Sequence, residues 1–560
     1  MNTLFIAVLS SVGFILAYRL YGRFIGEKLF AIQRDRETPS HTFEDGVDFV
    51  PTKRSILFGH HYTSIAGAGP IVGPAIAVIW GWVPALLWVV FGSILMGGIH
   101  DFGALVVSAR HQGRSIGDVT KDIVGPTARM LFLLIILFLL LVVLAVFALV
   151  IGLLFTMYPA SVFPIWFEIP LAVGLGYMIY RRNGNVRLWS ILALVIMYIT
   201  IYVGTRIPLH LPALLGSKLT TWVVVLMIYA YIASTLPVQT LLQPRDYINS
   251  HELFFGLAVL FVGMVIVHPV VVAPSVNLHP QGAPPIFPFL FVIVACGAIS
   301  GFHSLVSSGT SVKQLDKESD AQLVGYGSML MEGVLAVMVL LACTAGFRSL
   351  DAWNAHYISW TTANGLGAKI GAFVEGGTYF LAPLGLSHDL AAALIAVVVI
   401  SFAATTLDTA TRIQRYVISE LATACRIEPL RRRHPATLAA VGTALLLALV
   451  KGGGKGGMIL WPLFGTTNQL LAGLALLVLT LYLAKQGKPV LYTMLPMLFM
   501  ITMTGWAMVL NFKNFVTKGD EFLAVLGGLV LLLEVWIIVE ALRAFSTYRK
   551  TRAAVPAPEL

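Results

Sequence analysis

Four groups of residues in this chain could do chemistry, and all four sit in apolar sequence, where a polar group has a cost. Residues 58–74 read FGHHYTSIAGAGPIVGP, with Gly67, Ala68, Gly69 and Pro70, then Gly73 and Pro74, midway along an otherwise apolar segment. Proline removes a backbone donor and clashes with the preceding turn, and glycine favours non-helical geometry. Unwound backbone is tolerated in hydrocarbon only where protein or a polar cavity surrounds it. A break here would free carbonyls for a cation and amides for a substrate carboxylate. The competing reading is a kinked, tightly packed helix, because glycine also lets helices approach closely.

Residues 296–311, CGAISGFHSLVSSGTS, combine glycine with hydroxyls at Ser304, Ser307, Ser308, Thr310 and Ser311, next to Gly309. They are candidates for the second half of a substrate site, although a serine can instead bond back to its own helix. Residues 401–412, SFAATTLDTATR, place Thr405, Thr406, Asp408 and Thr409 within about a turn and a half of helix. A carboxylate among hydroxyls inside a span is costly unless it binds something, so sodium or a proton is the candidate coupling ion. The alternative is an ion pair between Asp408 and Arg412, four residues on.

His60, His61, His100 and Asp101 are the fourth group. His60 lies near the start of its apolar segment and His100 with Asp101 roughly two-thirds through an oppositely running one, at similar depth for a rise of about 1.5 Å per residue. A histidine–carboxylate pair there could relay protons, since histidine titrates near neutral pH. Four such ligands could equally hold a metal, though no zinc spacing is present, and a hydrogen-bonded structural cluster is the third reading. Glu332 and Glu534 are also set inside apolar spans; Glu332 falls in a repeated motif and is a functional candidate, Glu534 a helix-packing contact.

These residues must be positioned by membrane helices. The chain is 58% hydrophobic and 11% charged, with a mean hydropathy of +0.85, too few charges to cover a soluble surface. About fifteen apolar stretches approach the length needed to cross a bilayer. They run from 4–21 to 522–545 and include 56–80, 84–110, 222–242, 253–273, 286–310, 323–347, 390–424 and 436–450. The net charge of +10 resides in short loops beside these spans, where it orients a membrane protein and argues against nucleic acid as a partner. Cys296, Cys343 and Cys425 are dispersed and have neither disulfide nor zinc spacing.

The first apolar stretch has no basic residue before it and Arg19, Arg23 and Lys28 after it, the pattern of a permanent anchor with its N-terminus outside. With that orientation the loops at 34–54, 110–129, 181–187, 313–317, 426–433 and 485–488, and the tail from Arg543, are cytoplasmic, and all carry Lys or Arg. Lys451 and Lys455, in a glycine-rich external turn, are the main discrepancy. Residues 365–386 are open between an ordered external loop and a lid dipping into the protein, and residues 553–560 are expected to be disordered. The organisation expected is an anchor helix and loop (1–55), a transport core (56–484), and two further helices with a tail (485–560).

Two echoes point to internal repetition. FGSILMGG at 91–98 resembles YGSMLMEG at 326–333, and Gly59, His61 and Gly67 have the spacing of Gly301, His303 and Gly309. The matched spans lie about seven crossings apart, an odd number, so their members face opposite ways, as an inverted-topology repeat requires. A third echo, ASTLPVQT at 233–240 with ATTLDTAT at 404–411, is oriented alike in this topology and fits either coincidence or a miscounted span.

Through GHHYTSIAGAGPIVGPAIA, WGWVPALLWVVFGSILMGGIHDFGALVVSARHQGRSIGDV, ACGAISGFHSLVSSGT and DTATRIQRY, the chain resembles the carbon starvation protein A family of bacterial membrane proteins, from about Thr3 to beyond Ala484. The resemblance implies an all-α transporter of the amino acid–polyamine–cation type: two inverted five-helix repeats (LeuT-like) with discontinuous helices, plus extra helices. It implies a substrate site between two broken helices, around Gly67 and from Gly301 to Gly309, and a cation site near the first break and Thr405 to Thr409. It also implies uptake of peptides or pyruvate when carbon is scarce. Pyruvate needs a small pocket with one carboxylate-binding group; peptides need more room and recognition of two charged ends.

The leading expectation is therefore ion-coupled uptake of a small polar nutrient across the cell membrane, driven by protons or sodium, without a cofactor and without enzymatic chemistry. A membrane-embedded metal-dependent enzyme built on His60, His61, His100 and Asp101 is the alternative, and a channel or nutrient sensor the third. Oligomeric state is not legible in these residues.

Overall fold

A helix that is apolar on every side has to be enclosed by protein or lipid, and residues 126–157 are the extreme case. In the computed structural model, which describes residues 2–450 and 456–553, they wind into one 32-residue helix, largely buried in a helical bundle. The main helices are numbered here in chain order, short connecting ones being left out. The first five are α1 (Thr3–Ala17), α2 (Arg54–Ala66), α3 (Gly69–Ala77), α4 (Trp82–Gly92) and α5 (Gly98–Ala109). Next are α6 (Pro126–Met157), α7 (Val162–Gly176), α8 (Val186–Arg206), α9 (Lys218–Thr235) and α10 (Leu242–Val267). Then follow α11 (Ile286–Ile293), α12 (Gly301–Gly309), α13 (Ser328–Ala345), α14 (Leu366–Leu381) and α15 (His388–Ala424). The last are α16 (Arg433–Leu449), α17 (Trp461–Lys485), α18 (Leu491–Thr517) and α19 (Glu521–Ala553). Side-chain caps start several of them: Asn185 on α8, Ser217 on α9 and Ser387 on α15 each accept a backbone N–H of the first turn.

Among the described residues, twelve helices are long and apolar enough to cross a membrane, and α2 with α3 makes a thirteenth span bent by 44°. The shortfall from about fifteen lies where hydropathy is continuous and helix is not. Residues 286–310 divide into α11 and α12, of 8 and 9 residues, and α16 reaches only 17. A second difference is at α10, which starts at Leu242 rather than near 253. Hydropathy fades there because Gln243, Arg245, Asp246, Asn249 and Glu252 are polar; the helix continues because all five are buried. Residues 365–386 contain α14, a largely buried 16-residue helix packed on α3, α13 and α15, so this segment does enter the protein. Lys451, Lys455 and residues 554–560 lie outside the described residues.

The octamer echo marks equivalent places. FGSILMGG and YGSMLMEG fall midway along two 28-residue spans, Trp82–Ala109 and Glu318–Ala345, each at a π-helical turn. They also pack on each other. A Cβ at Gly98 would lie 2.4 Å from the Tyr326 ring, and one at Gly333 would lie 2.9 Å from Ser93 Oγ. Such reciprocal contact is what a two-fold relation between repeats produces. The glycine–histidine echo does not mark the repeat. It matches α2, before the first break, with α12, after the second, whereas a repeat pairs first halves with first halves. In the third echo, residues 233–240 end α9 and enter a turn, while 404–411 are mid-helix in α15, so the likeness is coincidental.

The stretch before α2 is stitched to the end of α12 and to α15. Val50 and Thr52 donate backbone N–H groups to the carbonyls of Lys313 and Gln314, at 3.0 and 3.1 Å. Asp48 pairs with Arg412, and Arg415 Nη2 donates to both Asp48 oxygens at 3.0 Å. Burial raises the Asp48 carboxyl, but the two guanidinium groups outweigh it and hold the group well below the usual carboxylate range.

Candidate functional site

Helix α2 stops at Ala66 because Gly67 takes φ +38°, ψ −152°, a conformation open to glycine. Pro70 then occupies the first turn of α3, where its missing N–H has no intrahelical partner to lose. The second break separates α11 from α12 and contains Gly297 at φ +88°. The two breaks touch. A Cβ on Gly69 would stand 2.4 Å from Cys296 Sγ, and one on Gly73 would stand 2.8 Å from the Ile293 carbonyl oxygen. Asn468 of α17 holds the start of α12: its Oδ1 accepts from the Phe302 amide at 2.9 Å and its Nδ2 donates to Ser300 Oγ at 3.0 Å. The broken backbone is therefore enclosed by protein, as helix ends inside a membrane must be.

A cavity of about 580 Å³ opens onto both breaks through Gly69, Gly73, Cys296 and Asn468. A pocket of about 40 Å³ lies behind it, against Gly67, Ala68, Gly69, Ser300 and Thr406. Ala68 and Gly69 thus face space a guest could fill, with Pro70 beside them. The α12 serines face neither. Ser304 Oγ donates to the Gly301 carbonyl at 2.7 Å and Ser308 Oγ to the Ser304 carbonyl at 2.6 Å, the back-bonding that small hydroxyls favour in helices. Ser308 Oγ also accepts the Ile116 N–H at 3.0 Å, Gly309 packs on Ile413, and Ser307 is buried with no hydrogen-bond partner among the described residues.

The histidines divide between two walls. His60 does not join His100 and Asp101; its Nδ1 pairs with Asp246 Oδ2 of α10 at 2.6 Å. Successive residues on a helix point about 100° apart, so His61 faces the other way and its Nδ1 meets Ser311 Oγ at 2.7 Å. Asp101 is gripped by His100 Nδ1 at 2.7 Å and His303 Nδ1 at 3.0 Å, and His303 Nε2 stands 3.5 Å from Glu332 Oε2. His100, Asp101, His303 and Glu332 make a fully buried chain that ends beside Cys296. Glu332 makes no side-chain hydrogen bond among the described residues; the Gly297 backbone N–H is directed to its carboxylate. Cys296, His303 and Glu332 each offer a ligand atom within 4.8 Å of the others, close enough together to hold a metal ion.

On the opposite wall, Asp408 does not pair with Arg412, which is engaged by Asp48. Asp408 pairs with Arg245 of α10 and accepts the Tyr229 hydroxyl at 3.0 Å. Thr405 donates to Asp246 Oδ1 at 3.0 Å and accepts from Arg245 at 3.2 Å and Asn249 at 3.1 Å. Thr406 Oγ1 donates to the Ser64 carbonyl at 3.1 Å, and Thr409 Oγ1 is 3.0 Å from Ser64 Oγ, fastening α15 to the last turn of α2 before its break. Arg245, Asp246 and Asn249 are the partners that hydropathy hides, since they sit where the apolar signal fades. Glu534, near the C-terminus, is buried, and a Cβ on Gly505 would lie 3.4 Å from its Oε1.

Comparison with known proteins agrees with this architecture. The family model of carbon starvation protein CstA matches residues 2–357 and 347–507. The Peptide transporter CstA of Bacillus subtilis is 33% identical over 98% of this chain and 97% of its own length. That of Campylobacter jejuni is 34% identical over 90% of this chain and 79% of its own. The Pyruvate/proton symporter BtsT of Escherichia coli is 32% identical over 91% and 82%. Among solved structures, a mutant of the Eremococcus coleocola manganese transporter superposes with a TM-score of 0.50 at 12% identity, over 89% of this chain and 99% of that one, a likeness of fold alone.

Proposed function

Because the chain belongs to the carbon starvation protein CstA family, we propose that it is a secondary active transporter that couples uptake of a small polar nutrient, a short peptide or pyruvate, to the proton gradient. The observation that carries this reading is the contact of two broken helices at Gly69 and Cys296, with a cavity on one side and a buried histidine–carboxylate chain on the other. Broken helices leave amide and carbonyl dipoles for a guest. A carboxylate at membrane depth whose only basic partner is a histidine shared with a second carboxylate is poised to take up a proton.

The guest sits against Ala68, Gly69 and Pro70, with Gly67 providing the bend. Glu332 takes the coupling proton, and His303, Asp101 and His100 pass it on. Sodium fits less well. Its candidate position, among Thr405, Thr406, Asp408 and Thr409, already holds the Arg245 guanidinium, and a second cation there would be repelled. In this reading Arg245, Asp408, Thr405 and the His60–Asp246 pair fix α10 against α2 and α15. The N-terminus lies outside and the C-terminus in the cytoplasm, as the Lys- and Arg-bearing loops favour.

The test is uptake by purified protein in proteoliposomes. Labelled pyruvate and labelled dialanine are each offered under an inward proton gradient, an inward sodium gradient, or neither. The proposal expects accumulation of at least one of them that follows the proton gradient and collapses with a protonophore. Equilibration without accumulation would make the protein a channel, and accumulation driven by sodium alone would overturn the proton assignment.

A further inference from the structure

The cavity that opens onto the breaks has a one-sided charge. Its lining includes Lys369 and Lys518 and no aspartate or glutamate; its other polar side chains are chiefly asparagine amides. The two lysines differ. Lys518, at the end of α18, is exposed at the mouth. Lys369, in the first turn of α14, is 3% exposed, and among the described residues no hydrogen bond or ion pair reaches its ammonium group. Its Nζ lies 5.5 Å from the centre of the Trp461 ring. Burial alone, with no carboxylate opposing it, lowers the Lys369 ammonium to about 7. A desolvated cation held beside a water-accessible cavity is an unfilled anion site, because a buried ammonium without a counter-ion carries a desolvation penalty that an anion would offset.

We infer that Lys369 is the anchor for a carboxylate of the transported molecule, which enters the cavity between α14, α17 and α18 and lies with its anionic end at Lys369 and its body toward Gly69 and Cys296. The first turn of α14 adds the positive end of a 16-residue helix dipole on the same side, with Asn364 just before it also on the cavity wall. From α18, Asn511, Asn514 and Lys518 line the wall at helical spacing and offer amides to the remaining polar atoms of the guest. With no acidic side chain in the lining, an ammonium on the guest would find no counter-charge. The site therefore favours net anions over zwitterions, and zwitterions over cations. This inference rests on the transporter reading for its purpose, but not for its measurement.

The test is equilibrium binding to the purified full chain in detergent, with four probes that differ in charge: pyruvate and N-acetyl-dialanine (anions), dialanine (zwitterion) and dialanine amide (cation). Wild type is expected to bind the anions most tightly and the amide least. Lys369→Gln should weaken both anions by about tenfold or more, the worth of a charge-assisted hydrogen bond, and leave the amide unchanged. Lys369→Arg should keep most of the anion preference. Removing an unpaired buried charge should not harm folding, and size-exclusion profiles and thermal unfolding of both variants check this. Equal anion affinity in wild type and Lys369→Gln overturns the inference, as does a wild type that binds none of the carboxylates at millimolar concentration. Binding that follows this pattern without gradient-driven uptake would sink the transporter reading and leave the anchor standing.

Discussion

The two walls that flank α2 handle buried carboxylates in opposite ways. On the α10–α15 wall beside the first break, Asp408 is matched by Arg245 and Tyr229, and Asp246 by His60 and Thr405, so these two charges are met by a permanent cation and hydrogen-bond donors, whereas Glu252, further along α10, is buried without such a match. On the α5–α12–α13 wall, Asp101 is held by His100 and His303, while Glu332 has only a share of His303, at 3.5 Å, and the Gly297 backbone N–H. A matched set is stiff, because any change of protonation leaves an uncompensated charge. An unmatched set can gain and lose a proton at modest cost. In the proposed function the first wall does mechanical work and the second carries proton traffic.

Several variants would break or sharpen this division. Glu332→Gln has the largest expected effect: gradient-driven uptake falls by about a hundredfold or more, the usual worth of a positioned acid–base group. Its unfolding temperature stays near wild type, and any residual uptake ignores the pH difference across the membrane. A Glu332→Gln protein that still accumulates substrate with the proton gradient would move the coupling site elsewhere. Asp408→Asn comes next. It leaves Arg245 buried without its partner, which costs about 3–5 kcal/mol, seen as loss of yield and a lowered unfolding temperature. The double variant Arg245→Met with Asp408→Leu should recover stability and retain proton dependence. A stable double variant that has lost coupling would place Asp408 in the proton path and erase the contrast. Replacing sodium by potassium on both sides should change uptake by less than about twofold, in keeping with the cation already held beside Thr405. The smallest effect is expected for Ser304→Ala, whose hydroxyl serves its own helix; KM should move by no more than about twofold.

Much of the frame could be read from residue types alone. Gly67 and Pro70 disclose the first break because their backbone preferences are local properties, and the octamers at 91–98 and 326–333 reveal equivalent spans because glycine packing constrains which residues fit. What escaped is partner choice. Asp408 has Arg412 one turn away and Arg245 at a distance in sequence, and only the packing of α10 on α15 decides between them. His60 and His61 are adjacent in sequence yet serve different walls. The polar start of α10 was invisible as membrane helix because hydropathy scores each residue as though lipid surrounded it, whereas Arg245, Asp246 and Asn249 face one another's ligands. Lys369 carried no sequence signal, being one lysine in a glycine-rich segment with no motif around it.

The stitch at Asp48 bears on how such a molecule changes shape. It clips the stretch before α2 to α15 through two arginines, while the neighbouring strand-like contacts at Val50 and Thr52 hold the far end of α12. In the proposed transport cycle, any rocking of α12 away from α15 at this end would have to break that latch. Since the arginines keep the Asp48 carboxyl ionised far below neutral pH, its stabilising charge is full above the ordinary carboxylate range and fades only in strong acid. Protons arriving at physiological pH leave the latch shut, so in the proposed cycle titration of Asp48 is not what opens it.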